Sequence, residues 1–114
     1  MQRNAWMYLS DIQDAARKIQ EYTAGKRFSE YEAAEMLRDA VERRFEIIGV
    51  ALAELADLDA RLADRISDYR KIIAFRNLLA HGYAHVDDAT VWDIITEKLP
   101  LLARQVDALL EEAP

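Results

Sequence analysis

The sequence predicts an all-α fold, an antiparallel bundle of four to five helices, and three observations carry that prediction. Apolar residues recur at helical spacing along most of the chain, in the first segment at alternating steps of four and three, the period of a single helical face. Three glycines and two prolines serve as punctuation, with no Pro/Gly-rich linker, repeat or low-complexity tract between them. The 114 residues fit one domain spanning 1–114, and 52% hydrophobic content is enough to build its core.

The first helix is read from Ala5, Leu9, Ile12, Ala16, Ile19 and Thr23, with Gly25 as its stop. Ser29 followed by Glu32 has the spacing of a capping box, so a second helix is expected to begin there. Met36, Leu37, Ala40, Val41, Ile47, Ile48, Ala51, Leu52 and Leu55 continue it for about 25 residues, with Arg38, Glu42, Arg43 and Glu46 on its charged side. Residues 57–64 are charged and thin in apolar content, which predicts a connection or a short helix. A third helix is expected from Ser67 or Asp68 as N-cap, carrying Tyr69, Ile72, Ile73, Phe75 and Leu79 inward and stopping at Gly82. Asp87 or Asp88 can cap a fourth, through Val91, Trp92, Ile94 and Ile95. Pro100 should kink it, since proline lacks a donor and crowds the preceding turn; Leu101, Leu102, Val106, Leu109 and Leu110 then resume the stripe.

Composition narrows the function. Without cysteine there is no disulfide, thiolate metal site or cysteine nucleophile. The start lacks the apolar stretch of a signal peptide and no run is long enough to span a membrane, which predicts a cytosolic protein with no membrane association. The net charge of −6 argues against broad nonspecific binding to a polyanion, so any nucleic-acid contact must use a local basic site. A domain this small buries a limited share of its surface, which favours a dimer.

The polar residues that stand out are in Arg76-Asn77-Leu78-Leu79-Ala80-His81-Gly82-Tyr83. On a regular helix His81 lies about 40° from Asn77 and Tyr83 about 20° from Arg76, whereas Arg76 and His81 are about 140° apart. Either Gly82 permits a distorted last turn or the site is completed across a dimer interface. A guanidinium offers a planar fork of donors that suits phosphate, and imidazole titrates near neutral pH. Together they suit metal-free RNA cleavage, which needs proton transfer from the 2′-hydroxyl, proton donation to the leaving 5′-oxygen and positive charge at the phosphorus. The same residues also have a plain structural reading, since a helix C-terminus favours a cation and an arginine in the last turns commonly forms a surface ion pair.

The segment resembles the Arg-(four residues)-His-x-Tyr motif of HEPN-domain ribonucleases, specifically the HepT toxins. Agreement extends to Tyr8-Leu9-Ser10-Asp11-Ile12, Tyr22-Thr23-Ala24-Gly25, Ala40 through Gly49, Val91-Trp92-Asp93-Ile94-Ile95 and Leu99-Pro100-Leu101-Leu102, nearly the whole chain. The resemblance implies a helical homodimer whose two Arg76/His81 pairs face a shared cleft and cut RNA without a metal or other cofactor. It also implies a toxin–antitoxin pair in which a minimal nucleotidyltransferase silences the toxin by adenylylating Tyr83; DNA is not an expected partner. An adenylate there would place negative charge and bulk where an RNA phosphate should sit.

Some positions stay open. After Ile47-Ile48-Gly49 the family often has Glu, whereas this chain has Val50. Asn77 could orient His81 or act in capping. Arg43 and Arg44 could line the RNA cleft or pair with Glu42 and Glu46. His85 with Asp87 or Asp88 is read as a solvated loop and a cap rather than a metal site, and Trp6 and Trp92 as core or interface anchors rather than base-stacking platforms. The rival readings are a noncatalytic HEPN dimer that docks a nucleotidyltransferase or binds a nucleotide, and a plain helical adaptor.

Overall fold

The computed structural model describes residues 3–81 and 86–114, and the described residues contain helices and turns but no strand. Helix α1 (Ala5–Thr23) begins where the Asn4 side chain accepts the Met7 N–H at 3.1 Å. It ends before Gly25, whose φ of +72° is a conformation that favours glycine. Leu9, Ile12, Ala16, Ile19 and Thr23 are buried, as the stripe requires.

The next element departs from expectation. Helix α2 (Phe28–Ala33) starts before Ser29, and the carboxylate that reaches back belongs to Glu30, which accepts the Arg27 N–H at 3.0 Å. Ala34 is extended, so a single long helix from Ser29 is replaced by α2 and then α3 (Glu35–Leu58). Tertiary packing accounts for the break. Tyr31 is fully buried with its ring 5.4 Å from that of Trp92, and Phe28 lies 6.4 Å from the same indole, so α2 is anchored by aromatic contacts outside its own helical line. Met36, in the first turn after the break, is 86% exposed rather than part of the apolar stripe.

Val41, Phe45, Ile48, Leu52 and Leu55 line the buried face of α3. At about 1.5–3 kcal/mol for each fully buried large side chain, this row stabilises the bundle more than any surface ion pair. Residues 57–64 do contain a short helix, α4 (Ala60–Ala63), with the Asp59 side chain accepting from Leu62 N–H at 3.1 Å. Helix α5 (Tyr69–His81) follows Asp68, whose φ of 59° turns the chain sharply. Tyr69 and Leu79 are buried, and Ile72, Ile73 and Phe75 pack partly buried against the core. The expected stop at Gly82 lies outside the described residues.

Asp87 caps α6 (Asp88–Asp93), accepting the Ala89 N–H at 3.1 Å. The disturbance expected from Pro100 takes the form of a π-helical turn, Ile94–Lys98, leading into α7 (Leu99–Glu111), where Pro100 occupies the first turn. Leu102, Val106 and Leu109 are buried, while Leu101 is 40% exposed.

Helix α3 packs against both α1 and α5, and α7 runs along α1. The α1–α7 contact carries a Gln13 amide donating to Asp107 at 2.7 Å. Between α5 and the π-turn with α7, Ile72, Phe75, Ile94, Leu101 and Leu102 line an open apolar groove of about 220 Å³. No helix among the described residues is long and apolar enough to cross a membrane.

Candidate active site

Gly49 of α3 and Arg76 of α5 lie against each other. A Cβ placed on Gly49 would overlap the Cβ and Cγ of Arg76, so the missing side chain is what lets the arginine lie flat against α3. The consequence is an arginine half-buried at its stem. Its Nε is buried without a hydrogen-bond partner among the described residues, and a terminal nitrogen donates to the Asn77 side-chain oxygen at 3.2 Å. No carboxylate pairs with Arg76 among the described residues. An arginine whose stem is held by packing and whose guanidinium is steadied by a neutral amide, with no ion-pair partner among the described residues, is suited to an anionic ligand.

Arg76 opens into a cleft of about 310 Å³ formed by α1, α3 and α5 together with Arg3. Ile47, Val50 and Ala51 give it an apolar part, and Tyr8, Asp11, Arg43, Glu46 and Glu54 complete the lining. Arg3 pairs with Asp11 at 2.6 Å, and Arg43 with Glu46 at 3.4 Å. Arg3 also stands 5.0 Å from the centre of the Tyr8 ring. Hydrogen bonding to Glu54, together with desolvation and that carboxylate's charge, raises the Tyr8 phenol above its ordinary value.

The other residues singled out from the sequence are distributed differently. Arg43 lines the cleft with Arg76, whereas Arg44 is half-buried and is not among the residues lining it. His81 is exposed at the C-terminal end of α5, outside the cleft lining. The Asn77 side chain is engaged by Arg76. Tyr83 and His85 lie outside the described residues, as does any contact they make. Among the described residues no group of three His, Asp or Glu side chains stands close enough to hold a metal ion. Trp92 is a packing anchor for Phe28 and Tyr31, and Trp6 is half-buried against the core.

Arg3, Tyr8, Asp11 and Glu54 line the cleft although the sequence pattern alone assigns them no site. A signal was available in part, because Glu46, Val50 and Glu54 repeat at four-residue intervals and Tyr8 and Asp11 at three, each set sharing one helix face. That the two faces meet beside Arg76 depends on how α1 and α5 cross α3.

Comparison with known proteins agrees with this architecture. Residues 12–109 match the family model described as ribonuclease HepT-like. A probable ribonuclease HepT of Thermococcus cleftensis is 31% identical over 109 residues, covering 96% of this chain and 98% of the relative. A protein of Methanocaldococcus jannaschii provisionally named an RNase is 30% identical over 105 residues, covering 92% and 95%. Another from that organism, named a gamma-glutamylcyclotransferase and, provisionally, an RNase, is 29% identical over 98% of this chain, which spans about half (50%) of that relative's length. No solved structure matches the chain significantly. With its all-helical fold and a family match running from α1 to α7, the chain belongs to the HepT-like ribonuclease family.

Proposed function

We propose that the protein is the toxin of a toxin–antitoxin pair, a metal-independent endoribonuclease that cuts RNA at a composite Arg76/His81 site between two copies of the chain. The observation that carries this reading is Arg76, whose aliphatic stem is seated on Gly49, whose side chain lines the cleft and whose guanidinium is unpaired with any carboxylate among the described residues. A phosphodiester placed against it gains charge-assisted hydrogen bonds that strengthen as charge develops in the transition state. In that step the ribose 2′-oxygen attacks phosphorus and the bond to the 5′-oxygen breaks. One imidazole takes the 2′-hydroxyl proton and a protonated one supplies the proton that the 5′-oxygen acquires. Two protomers provide two copies of His81 for these complementary roles.

Dimerisation is supported by unpartnered apolar surface on and near the helix that carries the motif. Leu78 is 47% exposed and Leu101 40% exposed, and Leu101 borders the apolar groove against which Phe75 lies. In this reading a minimal nucleotidyltransferase antitoxin silences the enzyme by adenylylating Tyr83. The test is cleavage of RNA in excess chelator, with analysis of the ends. Retained activity leaving 2′,3′-cyclic phosphate and 5′-hydroxyl termini is expected; a strict metal requirement overturns the mechanism.

A further inference from the structure

We propose that the cleft beside Arg76 is a guanine-recognition subsite, with Tyr8 and the apolar lining residues holding the base and Glu54 reading its donor edge; this assignment rests on the ribonuclease reading. The cleft, at about 310 Å³, matches the smallest ligand pockets and can hold one nucleotide but no folded RNA element. Ile47, Val50 and Ala51 give its lining an apolar part that suits a flat ring, and Tyr8 adds an aromatic side chain to the same lining. The lining carries both signs of charge, which disfavours a ligand that is anionic throughout and suits a heteroaromatic base presenting donors and acceptors on different edges.

The carboxylates are not equivalent. Asp11 is held by Arg3 and Glu46 by Arg43, whereas Glu54 has no basic partner among the described residues. It stands beside the Tyr8 phenol, whose raised pKa registers the contact. Each carboxylate oxygen carries two lone pairs, so beside the bond from the Tyr8 phenol Glu54 can still accept from two adjacent donors. Guanine presents N1–H next to its 2-amino group. Adenine and cytosine each set an amino group beside a ring acceptor that would repel the carboxylate, and uracil offers one N–H between two carbonyls. The guanidinium of Arg76, at the edge of the same cleft, would then face the phosphate of the bound nucleotide, which links recognition of the base to the bond cut.

The test is calorimetric titration of the full chain with guanosine 3′-monophosphate and inosine 3′-monophosphate, which differ only in the 2-amino group, beside cleavage of oligouridylates carrying a single guanosine, inosine, adenosine or cytidine. Guanosine 3′-monophosphate should bind about tenfold more tightly than the inosine analogue, a modest share of what a bidentate base contact can discriminate. Glu54→Gln should bring that ratio close to one, because an amide offers a single acceptor; Glu54 is exposed, and thermal unfolding will show that the variant stays folded. Cleavage should favour the guanosine-bearing strand. Equal affinities, no binding of either nucleotide, or an unchanged ratio in Glu54→Gln overturns the subsite. If no RNA is cut while the guanosine preference holds, the ribonuclease reading falls and the subsite stands. If RNA is cut without base preference and the affinities are equal, the subsite falls alone.

Discussion

Gly49 and Arg76 are locked together: the arginine's Cβ and Cγ occupy the space that a side chain at position 49 would need. Gly49→Ala should therefore push α5 away from α3, destabilising the fold by about 1–3 kcal/mol, the usual cost of overpacking. RNA cleavage should fall further than stability alone explains, since a shift of about 1 Å in a positioned catalytic group can cost 10²-fold. Denaturant unfolding and initial rates on the same preparation separate the two effects. A variant with unaltered rates would show that this contact does not position the guanidinium.

Arg76→Ala and His81→Ala should each abolish cleavage and relieve growth inhibition, with rate losses on the order of 10²–10⁴. His81 is exposed, so His81→Ala should unfold at the wild-type temperature. Arg76→Lys should not restore activity, because a lysine cannot supply the planar fork of donors. The measurement is single-turnover cleavage alongside circular dichroism.

Leu78 exposes 47% of its surface one residue beyond Asn77, on the helix that carries the motif. Leu78→Glu should convert a dimer into a monomer and lower cleavage in proportion to the dimer lost. Sedimentation equilibrium at micromolar concentrations reads the first effect. A wild-type protein that remains monomeric at roughly tens of micromolar, far above the dissociation constant of a tight dimer, would remove the shared-cleft mechanism.

Tyr83→Phe removes the oxygen that adenylylation requires and keeps the ring. The variant should cut RNA yet resist silencing by an active nucleotidyltransferase partner. Intact-mass spectrometry after incubation with that partner, magnesium and ATP should show added adenylate on the wild type alone. Modification appearing instead on Tyr69 or Tyr22 would reassign the acceptor.

Glu42 illustrates a cost carried by the fold. Burial, followed by the charges of Asp39 and Asp88, raises its pKa, with Arg38 opposing them. The folded state thus holds this proton more tightly than the unfolded chain. The stabilisation is fully present below the ordinary carboxylate pKa and is lost as pH rises through the raised value. Glu42→Gln should accordingly raise the melting temperature at neutral pH, with the gain closing towards about pH 4. A gain that is the same at both pH values would show that the side chain's shape, rather than its charge, is responsible.

The sequence by itself determined the helical class and the main apolar faces. These follow from local rules: the stripe of Leu9, Ile12, Ala16 and Ile19 is buried because the helical period puts those side chains on one side, and Asp87 caps because a short side-chain oxygen reaches the next N–H groups. The tertiary structure alone decided where α2 ends and what surrounds Arg76. The break at Ala34 depends on Trp92, which is distant in sequence, so no local capping pattern could locate it. Arg76 and Asn77 are neighbours in any helix, but the seat on Gly49 and the meeting of Tyr8 with Glu54 depend on how α1 and α5 cross α3. A crossing is set by the side chains of two elements together, through the space that Gly49 leaves open, and that information is not local to either one.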